Sequence, residues 1–212
     1  PNGDATAYQN YIAGMAQLCG QIVRGGSEVV LFPTHLHTDR VAILDLLASV
    51  PSDALHGVRM EHIATVPDLV QCVARLDAVV ATRFHGVLFS LWRSRPALSI
   101  AYGVKNDRLL ESFELGELAL QAGSVDADTL VGAFQAMRTR YRELRAPLSG
   151  HLLRMRHQID AQYREVFFSC GWEDSATMPL LDAAASRTGE SEAIGGPTRT
   201  MVSAMSRSAP GS

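Results

Sequence analysis

Apolar and polar positions alternate along this chain with two different periods. Over residues 8–23 the apolar side chains recur every three or four positions, which predicts one face of an amphipathic helix, and a glycine pair follows it. Residues 28–33 form a short apolar run that predicts a strand, and the polar pair 38–39 can cap a second helix over 41–50. The chain therefore begins with a predicted helix, strand and helix.

The same alternation continues toward residue 113. Further strands are predicted over 59–65, 78–81 and 97–102. One further helix is predicted to start at Thr65 or its neighbour, with Pro67 in its first turn, and two more are predicted over 86–92 and 106–113. The run 78–81 is apolar on both faces, as in a strand buried within a parallel sheet. This βαβα rhythm predicts an α/β fold with a doubly wound, mainly parallel sheet of the Rossmann-like type.

From residue 126 the pattern becomes helical and rich in arginine, and Pro147 interrupts it before a second helical run. We expect residues 126–170 to be helices packing on a Rossmann-like domain, 1–125. Residues 171–212 shift to Ser, Ala, Gly, Thr and Pro, which predicts a disordered tail. The helical arginines form either a solvated face or a surface for an anionic partner: Arg138, Arg140, Arg142, Arg145, Arg154 and Arg156.

Composition narrows the possible functions. The net charge is −3, so no basic field favours nucleic acid as a partner. No apolar run reaches the roughly 18 residues that a membrane span needs. The three cysteines are odd in number and far apart, which argues against a disulfide framework or a zinc site, so we expect no metal and a reducing, cytoplasmic setting. Phosphate-loop and dinucleotide glycine motifs are missing from the sequence.

The densest chemical signal is the segment 77–86, which contains Arg83, His85 and Gly86 directly after the predicted strand 78–81. Open α/β sheets bind ligands at the carboxyl ends of their strands. Gly86 allows a tight turn into the next helix, whose N-terminus together with the guanidinium of Arg83 suits a phosphate or carboxylate. An imidazole can exchange protons near neutral pH, so His85 is a candidate general acid or base.

Lys105 is the only lysine among 19 basic residues, and it follows the predicted strand 97–102. It should therefore emerge at the same end of the sheet as Arg83 and His85. Each of the three has an ordinary interpretation, namely a structural ion pair, a histidine at a helix start, and a lysine retained by chance. Because all three converge on the strand ends, the pattern favours an anion-binding site.

Two weaker candidates are His35 and His37, on the loop after the predicted strand 28–33. They are either solvent-exposed loop histidines or ligand contacts at the same end of the sheet. Cys72 lies in a predicted amphipathic helix and is interpreted as a core residue.

The arrangement Asp77-(x)5-Arg83-Phe84-His85-Gly86, then a helix, a strand and Tyr102-x-x-Lys105, resembles the signature region of the polysaccharide pyruvyl transferases. The resemblance extends from about residue 7 to about residue 117 and includes Asp39. It implies the C-terminal half of a two-domain architecture similar to the GT-B glycosyltransferases. An N-terminal partner half is therefore expected.

The resemblance also implies a function in exopolysaccharide biosynthesis, the transfer of a pyruvyl group from phosphoenolpyruvate to sugar hydroxyls as a ketal. Arg83 and His85 then match catalytic positions, and substrate contacts are expected from Lys105, Tyr102, Gly86, His35 and His37. The expected partners are this small-molecule donor and a glycan acceptor, with no cofactor. The alternatives are a GT-B-type glycosyltransferase half that uses a nucleotide sugar, and a non-catalytic interaction domain.

Overall fold

The computed structural model describes residues 2–35, 38–101, 103–123, 125–169 and 199–203. The strands are β1 (Glu28–Leu31), β2 (Val58–Met60), β3 (Ala78–Ala81), β4 (Ala97–Ala101), β5 (Ala119–Gln121) and β6 (Arg199–Ser203). The helices are α1 (Asn2–Arg24), α2 (Thr38–Ser49), α3 (Val66–Ala74), α4 (Phe84–Trp92), α5 (Val104–Ser112), α6 (Ala127–Thr139), α7 (Tyr141–Arg145) and α8 (Leu148–Ser169).

The chain divides into two compact units. The first comprises Pro1–Ser149 with Pro197–Ser212 and contains the sheet. In it, α6 contacts α1 and β4. The second unit, Gly150–Gly196, contains α8 from Gly150 onward. Within the described residues no helix is both long enough and apolar enough to cross a lipid bilayer.

The sheet has six strands in the order β2-β1-β6-β3-β4-β5, and every neighbouring pair is parallel. From β1 the chain moves outward to β2 on one side, and from β3 it moves through β4 to β5 on the other. The strand order therefore reverses at β6, and all strands have their carboxyl ends at one end of the sheet. The predicted α/β fold with a parallel, doubly wound sheet is confirmed.

The sequence pattern places residues 199–203 in a disordered tail, and this prediction is wrong for them. They form β6, which pairs in parallel with β1 on one side and β3 on the other. The backbone groups of β1 and β3 that face each other across this position need hydrogen-bonding partners, and Thr200 and Val202 are residues with high strand propensity. The rest of the predicted tail, 171–198 and 204–212, lies outside the described residues.

The helices of the first unit form two groups. α1 contacts α2 and α6, whereas α4 contacts α3 and α5. Right-handed crossovers that proceed in opposite directions along a parallel sheet place their helices on opposite faces. The two groups therefore cover the two faces of the sheet, and the residues of β3 and β4 are buried on both faces.

The start of α3 follows from its sequence. The hydroxyl of Thr65 accepts a hydrogen bond from the Asp68 amide at 3.3 Å, and the Asp68 carboxylate accepts one from the Thr65 amide at 2.8 Å. Pro67 lies in the first turn, as predicted. The hydrogen bonds from Thr65, its side chain first and its backbone second, hold the pKa of Asp68 below its ordinary value.

Three features of the secondary structure differ from what the sequence pattern predicts. β2 is only Val58–Met60, β5 was not predicted, and the arginine-rich helix breaks at Arg140 into α6 and α7. β2 and β5 are the two outermost strands and are partly exposed, so they lack a clear apolar pattern. The guanidinium of Arg140 pairs with Glu117 at 3.2 Å and Glu143 at 3.0 Å, so intramolecular ion pairs account for this member of the arginine set.

Two of the cysteines are core residues. Cys72 is buried in α3, as predicted, and Cys19 is buried in α1. Burial disfavours the thiolate and raises the pKa of Cys19 to about 12, and it also raises the pKa of Cys72. Both thiols are therefore packing groups.

Candidate functional site

The junction between β3 and α4 contains the first of the predicted site residues. Arg83 has an extended backbone and precedes the first residue of α4, Phe84, and its carbonyl accepts hydrogen bonds from Gly86 at 3.0 Å and Val87 at 3.3 Å. α4 thus begins two residues before the predicted start at Gly86, which is buried in the first turn. The change from strand to helix therefore occurs at Arg83 itself.

The guanidinium of Arg83 forms an ion pair with Asp39. Nη2 and Nε of Arg83 donate to the same carboxylate oxygen, Oδ1, at 2.8 Å and 3.2 Å. The Asp39 side chain is 0% exposed, whereas that of Arg83 is 34% exposed. A buried carboxylate requires such charge-assisted hydrogen bonds, so the ordinary interpretation of Arg83 as a structural ion pair describes part of its role.

The second oxygen of Asp39, Oδ2, holds the loop that follows β1. It accepts hydrogen bonds from the Thr34 amide at 3.0 Å, the Thr34 hydroxyl at 3.2 Å and the His35 amide at 2.8 Å. The sequence pattern assigns Asp39 to the capping of α2, but its carboxylate instead accepts from the preceding loop and from Arg83. The buried position of the Asp39 carboxylate explains the difference, because a carboxylate that water cannot reach needs donors from the protein.

This ion pair bridges the point at which the strand order reverses. Asp39 lies after β1 and Arg83 lies after β3, and β6 is the strand between them. In open α/β sheets the crevice at such a point, outside the carboxyl ends of the strands, is the usual place for a ligand. Arg83 is therefore fixed at the position where this fold most favours binding.

His85 is the second residue of α4 and is exposed. Its ring stacks on that of Phe89, with centroids 6.3 Å apart and an interplanar angle of 26°, and meets the Phe84 ring edge-on at 5.8 Å. Two aromatic side chains thus limit the rotation of an imidazole that solvent can reach. A group so placed can exchange protons with a ligand at the carboxyl end of the sheet.

Lys105 is the second residue of α5, directly after β4, the neighbour of β3 in the sheet. It is exposed and makes no ion pair with any residue that the structure describes. The next residue, Asn106, is buried and donates a hydrogen bond to the Ser99 hydroxyl of β4 at 2.9 Å. This bond fixes the first turn of α5 to the strand and thereby fixes the backbone that carries Lys105.

The structure brings some of the predicted residues together and is silent on others. Arg83 and the backbone of His35 meet at Asp39, and the His35 side chain is exposed. His85 and Lys105 follow the carboxyl ends of adjacent strands. His37 and Tyr102 lie outside the described residues. The sequence reasoning missed the role of Asp39, because its pairing with Arg83 joins residues 44 positions apart in the chain.

Across the described ranges, no group of three or more histidine, cysteine, aspartate or glutamate side chains could hold a metal ion. The predicted site residues that follow β3 and β4 are instead the cations Arg83 and Lys105 and the imidazole of His85, beside the first turns of α4 and α5. Such groups suit a phosphate or carboxylate ligand.

Comparisons of this chain with protein-family models, with curated proteins and with solved structures found no match. The class of the molecule is thus defined by its fold alone, as an α/β protein with a parallel, doubly wound sheet.

Proposed function

We propose that this domain is the donor-binding half of a polysaccharide pyruvyl transferase with a GT-B-type architecture, and that phosphoenolpyruvate binds at the carboxyl end of its sheet. The observation that supports this most is the position of Arg83, held by Asp39 where the strand order reverses, with His85 two residues further on. Lys105 supplies a second cation on the adjacent strand end.

The chemistry of phosphoenolpyruvate suits these groups. The molecule carries a phosphate and a carboxylate on one small carbon frame, so two cations on neighbouring strand ends can hold both and fix its orientation. In ketal formation two sugar hydroxyl oxygens bond to the central carbon while its bond to the phosphate oxygen breaks. Of the two hydroxyl protons that are lost, one is balanced by the proton that the methylene carbon gains as it becomes a methyl group. The second hydroxyl proton leaves with the phosphate. His85 is the group that moves a proton in this scheme.

A GT-B-type glycosyltransferase half is the second candidate, because the diphosphate of a nucleotide sugar could use the same strand ends. The two donors differ in the presence of a nucleobase. Thermal-shift measurements on the chain with phosphoenolpyruvate, and separately with uridine and guanosine diphosphate sugars, therefore separate the two functions. We expect stabilisation by phosphoenolpyruvate, and stabilisation by a nucleotide sugar alone would contradict the proposal.

The catalytic part of the proposal is tested in a protein that contains both halves of the cleft. Replacing His85 by Asn keeps a hydrogen-bonding side chain but removes proton transfer, so we expect kcat to fall by about 100-fold or more, with a small change in donor affinity. His56, which lies in the turn before β2, provides the control as His56→Asn. Full transfer activity in the His85→Asn protein would favour a non-catalytic interaction domain.

A further inference from the structure

The carboxylate of Asp39 connects two loops that are distant in the chain. Oδ2 holds the turn at Thr34 and His35 after β1, and Oδ1 holds the guanidinium of Arg83 after β3. The two strands are not neighbours, because β6 separates them. Within the described residues this carboxylate is therefore a direct link across the crevice at which a ligand is expected.

A charged group is needed at this position for a specific reason. Burying a carboxylate has a large desolvation cost, and a neutral serine or asparagine is sufficient to hold a turn alone. Only a carboxylate can accept from the loop donors with one oxygen and from a guanidinium with the other. The convergence of Nε and Nη2 of Arg83 on one oxygen, at 3.2 Å and 2.8 Å, also fixes the plane of the guanidinium.

We propose that Asp39 is the positioning residue of this site: it orients Arg83 toward the donor anion and makes the β1 loop and the β3 loop move as one unit. The inference rests on the proposed function, since the ligand that Arg83 meets is phosphoenolpyruvate. Asp39 acts through Arg83 and the His35 turn, and it is buried away from the ligand itself.

The first test needs no ligand. If the two loops are one unit, Arg83→Gln will remove the guanidinium from Oδ1 of Asp39 and raise the native-state hydrogen exchange rate of the His35 amide, by about tenfold for the weakening of one charge-assisted bond. Arg24→Gln is the matched control, because Arg24 forms an exposed ion pair with Asp53 at 2.8 Å. Unchanged protection of the His35 amide in Arg83→Gln would overturn the inference.

The second test uses phosphoenolpyruvate and inorganic phosphate as titrants. In Asp39→Asn the amide cannot accept from both sides, so Arg83 loses its orientation, and we expect the affinity for phosphoenolpyruvate to fall by about tenfold while that for inorganic phosphate changes less than about twofold. Asp45→Asn, on the same helix and bonded to Tyr8 at 2.7 Å, is the control. Equal losses for both anions would indicate a purely structural role.

The double variant Asp39→Asn with Arg83→Gln completes the design. If Asp39 acts through Arg83, the double variant binds phosphoenolpyruvate as weakly as Arg83→Gln alone, whereas independent roles make the two losses multiply. Multiplied losses contradict the inference. An unmodified chain that binds no phosphoenolpyruvate contradicts the proposed function instead, and the exchange measurement then decides the positioning role separately.

Discussion

Arg83 and Lys105 occupy equivalent places after two neighbouring parallel strands, yet their surroundings differ. Arg83 is partly buried and is paired with a fully buried carboxylate, whereas Lys105 is exposed and has no ion pair among the described residues. The first cation is held before any ligand arrives, and the second retains its freedom and its charge. The position of a cation in the sheet topology and its availability to a ligand are therefore separate properties.

Under the proposed function, we expect the two cations to divide the work of anion binding. A guanidinium held by two hydrogen bonds loses little further entropy on binding and supplies a fixed direction. A lysine on a flexible stem can follow a ligand and neutralise its charge, at the cost of being ordered on binding. We expect Arg83 to affect both stability and binding, and Lys105 to affect binding alone.

The largest expected effect is on stability and comes from Arg83→Gln. This change removes the guanidinium that pairs with the buried carboxylate of Asp39. Removing one member of a buried pair costs about 3 kcal/mol or more, and because Arg83 is partly exposed, we expect about 2 kcal/mol. Urea denaturation measures the free energy of unfolding. Lys105→Gln is the matched change and should stay within about 0.5 kcal/mol of the parent chain. Equal stability of the two variants would contradict the claim that Arg83, unlike Lys105, stabilises the fold through an ion pair.

The next effect is on affinity and comes from Lys105→Gln. Removing one cation from an anion site should weaken phosphoenolpyruvate binding by about tenfold. The measurement is isothermal titration at low and at high salt, because the contribution of an exposed ammonium is screened and the difference between the variant and the parent should shrink at high salt. A loss that does not depend on salt would mean that Lys105 acts through structure.

Features of this fold that depend on neighbouring residues could be predicted from the sequence, whereas features that depend on residues distant in the chain could not. The strand 78–81 and the start of α3 at Thr65 follow from local patterns, and both were predicted. The partner of Arg83 lies 44 residues away, so it becomes visible only when the sheet brings β1 and β3 to the same end. β6 was missed because its strand-forming residues lie in a stretch rich in Ser, Ala, Gly, Thr and Pro, and its pairing with β1 and β3 joins segments that are distant in the chain.

The smallest expected effect concerns the carboxylate of Asp68, which lies at the surface, unlike the buried carboxylate of Asp39. The folded state lowers the pKa of Asp68 below its ordinary value of 3.8. The ionised carboxylate therefore stabilises the fold at pH values above its pKa in the unfolded chain, and this contribution is lost as the pH falls through its lower pKa in the folded state. Asp68→Asn should therefore be less stable than the parent chain at pH 6, with the difference disappearing in acid. Thermal unfolding from pH 6 down to pH 2 provides the measurement. A difference that persists unchanged at the lowest pH would contradict this origin.

The central claim is that phosphoenolpyruvate binds at the carboxyl end of the sheet, and the single lysine of the chain allows a direct measurement. The rate at which an amine-acylating reagent modifies Lys105 can be followed by peptide mass spectrometry, with chloride at matched ionic strength as the control. Saturating phosphoenolpyruvate should slow the modification by about tenfold, because a bound anion contacts the ammonium and blocks the approach of the reagent. A rate that phosphoenolpyruvate leaves unchanged, or that only a nucleotide sugar lowers, would contradict the claim.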